Sequence, residues 1–258
     1  MKIYGYVEKG IGKSECQDRV LVGDTILAGG FLQVDRETLD NLLIAVADGV
    51  GGYTGGELAA LMAVNGIRGL NRRQYLAEDD VRMLVKNTHM NIMKTGSELP
   101  GMLGMATTLT AFISGKETAL SVHIGNCRLW TLRKYIAQIT VDQTEVADMV
   151  RNGELTPEEA QNHPRRNIIT ACLGGNEEAH IESLEIVNEE KIGQQQSNII
   201  ITSDGIHDYM TDIELESILL EEKDAYRVCR NIAKRAREGG SADDISIVIA
   251  DRMGIYEN

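Results

Sequence analysis

Short runs of apolar residues, several alternating with polar ones, recur along the chain and are closed by small turn clusters. This pattern predicts strands over 2–7, 19–23, 26–34, 42–47, 107–114, 119–124, 128–133, 135–139, 181–187, 198–202 and 245–252. Several are separated by only a few turn residues, such as Ser114-Gly115-Lys116-Glu117, which favours antiparallel hairpins over parallel crossovers. Helices are announced by their caps. Thr54-x-x-Glu57 predicts a capping box opening a helix over 57–70, on which Leu58, Leu61, Met62, Val64 and Ile67 recur at roughly helical spacing. Asp79 or Asp80 opens a second helix running to about Lys94. Thr156-Pro157 starts a short one, Thr211-x-x-Glu214 another, and 223–237 reads as a last, strongly charged helix. Two antiparallel sheets with helices packed outside satisfy this order, an α+β arrangement.

The segment between Thr140 and Leu173 is polar, helical in patches, and contains His163-Pro164-Arg165-Arg166-Asn167. It is longer than an ordinary loop, and long loops in compact domains usually serve function, so a flap over about 140–173 is expected beside the active site. No repeat or linker divides the chain, apart from a brief polar patch at 194–196. One domain spanning 1–258 is expected.

With 43% hydrophobic residues the chain can bury a sizeable core. A net charge of −13 argues against nucleic-acid binding, and it repels phosphorylated ligands unless local cations offset it. No segment approaches 18 apolar residues, and the N-terminus lacks a signal peptide's apolar stretch. Cys16, Cys127, Cys172 and Cys229 are isolated. Reduced thiols, a cytoplasmic location and no membrane partner are the expectation.

Three acidic motifs bear on chemistry. Asp48-Gly49 follows the strand over 42–47, Ser203-Asp204-Gly205 follows that over 198–202, and Asp243-Asp244 precedes that over 245–252. If the third strand runs antiparallel to the others, all three carboxylates collect at one sheet edge. Carboxylates within about 4 Å repel by roughly 4 kcal/mol per pair at an effective dielectric near 20, so a cation is expected among them. Oxygen donors suit Mg²⁺ or Mn²⁺ rather than zinc.

The ordered set Ala45-Val46-Ala47-Asp48-Gly49-Val50-Gly51-Gly52, Gly104-Met105-Ala106-Thr107-Thr108-Leu109, Ile124-Gly125-Asn126-Cys127-Arg128, Thr202-Ser203-Asp204-Gly205 and Ala242-Asp243-Asp244-Ile245-Ser246 resembles the signature of metal-dependent Ser/Thr protein phosphatases of the 2C type. The upstream Lys13…Gln17-Asp18 is similar to that family's opening element. The resemblance implies a four-layer α/β/β/α sandwich with two Mn²⁺ or Mg²⁺ ions at one edge. On it, Asp48 would bridge both ions, Gly49 would offer its carbonyl, Asp204 and Asp243 would complete one ion, and Asp18 would hold metal-bound water. The activity implied is hydrolysis of phosphoserine or phosphothreonine on proteins, opposing a cognate Ser/Thr kinase in signalling. Two adjacent cations would lower the pKa of a bridging water and clamp the in-line displacement.

Departures from the pattern carry their own expectations. Asn126 stands where many members have aspartate, which weakens a third metal site shared with Asp208. Val50 replaces the histidine of eukaryotic members, Asp244 replaces an asparagine, and Ala106 a glycine. Lys13 occupies the phosphate-binding arginine position as a point charge rather than a fork, and Arg165 and Arg166 could guide an anionic substrate from the flap. Arg128 reads as a structural ion-pair partner. His163 lies in the flap motif, and His89, His123, His180 and His207 read as packing or surface residues. A rival reading is a weak or inactive relative that binds phosphoproteins or scaffolds a kinase.

Overall fold

A computed structural model describes residues 1–36, 42–50, 54–73, 76–115, 118–161, 163–176, 181–189, 192 and 196–256. Gly51, Gly52, Lys116, Glu117, His180, Gln194 and Gln195 lie outside the described residues.

The strands are β1 Lys2–Glu8, β2 Arg19–Val22, β3 Thr25–Leu27, β4 Gly30–Asp35, β5 Leu42–Ala47, β6 Ala106–Thr107, β7 Leu109–Ser114, β8 Ala119–Ile124, β9 Arg128–Leu132, β10 Ile136–Gln138, β11 Leu173–Gly174, β12 Glu185–Asn188, β13 Asn198–Thr202 and β14 Ile245–Asp251. The helices are α1 Gly56–Arg68, α2 Glu78–Glu98, α3 Glu145–Arg151, α4 Pro157–Gln161, α5 Asp204–His207, α6 Asp212–Glu221 and α7 Ala225–Glu238. One six-stranded sheet has the order β10-β9-β13-β14-β1-β4, the other β12-β8-β7-β5-β2-β3, and β11 pairs with β6. The pairings within both large sheets are antiparallel.

Side-chain alternation assigns the layers. In β5, Leu42, Ile44 and Val46 point between the sheets, where they meet Ile3, Val20, Phe112, Leu129, Ile201 and Val248. Leu43, Ala45 and Ala47 point the other way, against Ala59, Ala63, Val64 and Ile67 of α1 and Val85 and Ile92 of α2. On the far side, Ile247 and Ile249 of β14 with Trp130 and Ile200 pack on Leu215 and Leu219 of α6 and Val228 and Ile232 of α7. Central strands covered on both faces have no solvent side, which is why β5, β13 and β14 are nearly continuous apolar runs. The layers are helix, sheet, sheet, helix, as the sequence resemblance implied.

Four local expectations are corrected. The run over 26–34 is two strands in different sheets, because Gly30 takes φ 87° and breaks it after Leu27. The run over 181–187 begins as a 3₁₀ turn, Ile181–Ser183, before β12. Thr54 does not cap α1: that helix follows Gly55, whose φ of 92° is left-handed and which makes no side-chain cap. Nor do Asp79 or Asp80 cap α2, which follows Ala77 with no side-chain cap and holds both acids in its first turn. The caps at Thr156 and Thr211 hold. Thr211 and Glu214 form a reciprocal capping box, and Thr156 and Glu159 exchange the same hydrogen bonds at 2.8 and 3.3 Å.

Candidate active site

The acidic residues meet because of register. β2 pairs with β5 so that Arg19 faces Ala47, which places Asp18 beside Asp48 just beyond the ladder. β13 pairs with β14 so that Thr202 faces Ile247, and Ser203 N–H donates to the Ser246 carbonyl at 3.0 Å. The chain therefore leaves β13 at Asp204 where it enters β14 from Asp243 and Asp244. Both arrivals lie at one edge of the sandwich, around a cavity of about 220 Å³. Its walls carry Lys13, Asp48, Asn126, Asn167, Asp204 and Asp243, with Gly49, Val50, Thr108 and Ile169.

The Asp48 backbone and the Asp204 side chain are held from behind. The Asp48 carbonyl accepts from Thr108 N–H at 2.8 Å and from Thr107 Oγ1 at 2.9 Å, and Asp48 N–H donates to Thr108 Oγ1 at 3.1 Å. The chain must turn closely here, since a Cβ on Gly49 would lie 2.5 Å from the Gly56 carbonyl carbon. Asn126 Nδ2 donates to Asp204 Oδ2 at 2.8 Å. Gly205 packs against the Asp244 carbonyl, where any side chain would collide with backbone.

Burial, followed by repulsion from neighbouring acids, pushes Asp18, Asp48, Asp204 and Asp208 up. Asp18 is fully buried and its carboxyl is raised to about 7. Asp48 is raised well above the ordinary carboxylate range by burial and then by Asp18, Asp204 and Asp243. Asp204 is raised by burial and then by Asp243. Asp208, following the short helix α5, is raised to about 7 by burial and then by Asp204. Neither carboxylate oxygen of Asp18 has a hydrogen-bond partner, nor does Oδ1 of Asp204. Orphaned, mutually repelling oxygens of this kind are costly without a counter-ion. As hard donors they fit Mg²⁺ or Mn²⁺. They do not form a finished cage: among the described residues no three His, Cys, Asp or Glu side chains are arranged to hold a metal ion. Asp243 Oδ1 instead takes a hydrogen bond from Lys13, whose ammonium also reaches Asp244 Oδ2 at 3.0 Å. Burial would lower the Lys13 pKa, but Asp243 and Asp244 hold it above its ordinary value.

The remaining residues singled out in the sequence divide clearly. Arg128 clamps Asp142 through three hydrogen bonds of 2.7–3.1 Å, an internal ion pair as expected. Asn167 and Ile169 bring the 140–173 segment to the cavity, and Gln143 ties that segment to Gly125 by two hydrogen bonds. Arg165 pairs with Glu145 within the same segment and is not among the cavity residues. Arg166 stands over the Tyr209 ring, with its Nε 3.9 Å from Asp208 Oδ2. His89, His123 and His207 are buried, and His163 accepts from Arg165 N–H.

One supporting residue escaped the sequence reading. Arg237, near the end of α7, donates to the carbonyls of Asp243 at 2.6 Å, Ser241 at 3.1 Å and Lys9 at 3.1 Å, and pairs with Glu8. It ties both loops of the Lys13–Asp243 contact to the scaffold. Its partners lie more than two hundred residues away at Glu8 and Lys9, so nothing in the pattern of a basic helix marks it. Arg237→Ala strands several charge-assisted acceptors and should cost about 2–3 kcal/mol. At this chain length that lowers Tm by roughly 4–12 °C, measurable by calorimetry.

The chain matches the protein phosphatase 2C family model over residues 15–243. It is 32% identical over 216 residues to the serine/threonine protein phosphatase PstP of Mycobacterium tuberculosis, an alignment covering 81% of this chain and 40% of that protein. It thus spans well under half the length of that relative. With the serine/threonine phosphatase stp of Listeria monocytogenes it shares 26% identity over 225 residues, covering 84% of this chain and 87% of the relative. The crystal structure of M. tuberculosis PstP/Ppp superposes with a TM-score of 0.78 at 26% identity, covering 96% of this chain and 98% of that one. A structure of the PstP catalytic domain in complex with two manganese ions superposes at 0.74 with 24% identity, covering 96% and 98%. The family model covers most of the sequence, and the chain belongs to the protein phosphatase 2C family.

Proposed function

We propose that this protein is a Mn²⁺- or Mg²⁺-dependent protein-serine/threonine phosphatase that hydrolyses phosphoserine and phosphothreonine on cytoplasmic proteins and opposes a Ser/Thr kinase. The observation that carries this reading is the gathering of Asp48, Asp204 and Asp243 around one cavity with a lysine at its wall, and with orphaned carboxylate oxygens on Asp204 and on the buried Asp18. The manganese pair described for the PstP catalytic domain supports two cations here. Asp48, Asp204, Asp243 and the Gly49 carbonyl would hold them, with Asp18 behind through water. When bound, the ions supply concentrated positive charge to the phosphoryl oxygens and an acidified water for in-line attack.

The chain's own residues then have separate tasks. Lys13 offers a cation to the phosphoryl oxygens on an otherwise acidic surface. Thr107 and Thr108 fix the Asp48 backbone, so that its carboxylate is presented without reorganisation. Asn167 and Ile169 narrow the cavity from the flap, and Arg165 lies farther out where it could meet a peptide's own charges. A third ion at Asp208 is expected to be weak. Asn126 contributes an amide that donates to Asp204 instead of a further carboxylate, and Arg166 already supplies positive charge near Asp208. Release of phosphate from phosphoserine and phosphothreonine peptides in Mn²⁺ tests the proposal, and no turnover above an EDTA control would end it. The rival, a phosphoprotein-binding module, is favoured by the Lys13–Asp243 contact, and it predicts a phosphopeptide retained intact in Mn²⁺.

The raised acids also set a pH dependence of stability without metal. Asp18 and Asp208 titrate near 7 in the fold and near 3.8 when unfolded. Between those values the folded chain binds more protons than the unfolded one, so stability falls as pH rises through that window and levels off above it. In EDTA the Tm should drop by several degrees between pH 5 and 7.5. Mn²⁺ should then raise it more at pH 7.5 than at pH 5.5. A Tm in EDTA that climbs over this range would contradict the burial of these carboxyls.

A further inference from the structure

Asp244 is 1% exposed and accepts three hydrogen bonds from the loop that carries Lys13. Its Oδ1 takes Gly10 N–H at 2.7 Å, while Oδ2 takes Gln17 N–H at 2.8 Å and the Lys13 ammonium at 3.0 Å. One carboxylate thereby pins the loop at both ends and holds its central cation. Ile11 N–H adds a bond to the Ala242 carbonyl at 2.9 Å, and a Cβ on Gly10 would lie 2.5 Å from that same oxygen. The loop is therefore seated on the 242–244 turn with no slack.

Building on the phosphatase reading above, we propose that Asp244 is a positioning residue: it fixes the 10–17 loop so that Lys13 faces the cavity, and so sets the protein's affinity for the phosphoryl group. Lys13 and Asp244 act as one unit. An asparagine at 244 has one acceptor oxygen, and its NH₂ would face an N–H or the ammonium, donor against donor. The residue most similar in shape is thus a poor substitute here. The negative charge of Asp244 is spent on Lys13 and on backbone N–H groups rather than facing the cavity, whose walls include Asp243 but not Asp244.

A double-mutant cycle tests this, with inorganic phosphate as the probe on Mn²⁺-loaded protein and p-nitrophenyl phosphate for turnover. Asp244→Asn and Lys13→Ala should each raise the phosphate Kd and the KM by about tenfold, the scale of one charge-assisted hydrogen bond. In Asp244→Asn the change should fall mainly on KM, with kcat altered by the smaller factor. The double variant should bind phosphate no more weakly than Lys13→Ala alone, because Asp244 acts through Lys13. Amide exchange in EDTA should speed up at Gly10 or Gln17 in Asp244→Asn. Gly10→Ala, which alters no charge, should reproduce the loss of phosphate affinity by lifting the loop, and it stands in if Asp244→Asn does not fold. An unchanged phosphate Kd in Asp244→Asn, or penalties that multiply to about a hundredfold in the double variant, would overturn the assignment. Wild-type protein that binds phosphate but turns over no phosphoester would sink the phosphatase reading while leaving the phosphate cycle interpretable.

Discussion

Asp204→Asn is expected to lower Mn²⁺-dependent hydrolysis of p-nitrophenyl phosphate by at least about 10²–10³-fold while leaving the fold intact. The loss follows from charge. With one carboxylate fewer the site would bind a divalent ion more weakly and position it less well, a loss of several kcal/mol, and each 1.36 kcal/mol is tenfold in rate. The fold should survive because asparagine keeps the shape, and its carbonyl oxygen can still accept the 2.8 Å hydrogen bond from Asn126. In EDTA the variant should melt at or above the wild-type temperature, since Asp204 is raised by burial and by Asp243 and its removal relieves that repulsion. Lower activity with equal or greater metal-free stability separates a ligand from a structural acid. A variant that unfolds, or one that keeps more than a tenth of the rate, would assign Asp204 to the scaffold.

Mn²⁺ itself should stabilise the native protein. At about 100 times its dissociation constant a ligand adds about 2.7 kcal/mol, which for a chain of this size is roughly 5–10 °C in Tm. Two ions meeting the orphaned oxygens of Asp18 and Asp204 should reach the upper part of that range. Asp48→Ala should remove the rise, because Asp48 faces Asp18, Asp204 and Asp243 at once. A Tm that does not respond to Mn²⁺ in the wild type would mean that the carboxylates are balanced by Lys13 and by protons alone.

The strands were readable because an antiparallel sandwich writes its register locally: 42–47, 119–124 and 198–202 are strands at the bounds their apolar runs implied. The reading of 26–34 failed where apolar content continued across a change of sheet, which only the backbone at Gly30 reveals. Thr54-x-x-Glu57 satisfied a capping pattern, yet the left-handed Gly55 sits between the threonine and α1. The start of α2 was placed one or two residues late because Glu78, Asp79 and Asp80 all fall in its first turn and complement its dipole alike. At the site, Asp48, Asp204 and Asp243 could be found because each adjoins a strand end. Asp18 and Lys13 came only through the resemblance, since a lone acid and a lone lysine in a loop carry no pattern. The work of Asp244 and Arg237 stayed hidden because their partners are remote in sequence, and only the folded chain shows which charges they hold.

Crystals soaked in Mn²⁺ and measured at the manganese absorption edge give the most direct test. Two anomalous peaks about 4 Å apart, lying among the side chains of Asp48, Asp204 and Asp243, are the predicted result. No anomalous peak at that edge of the sandwich, at Mn²⁺ concentrations that support turnover, would contradict the account.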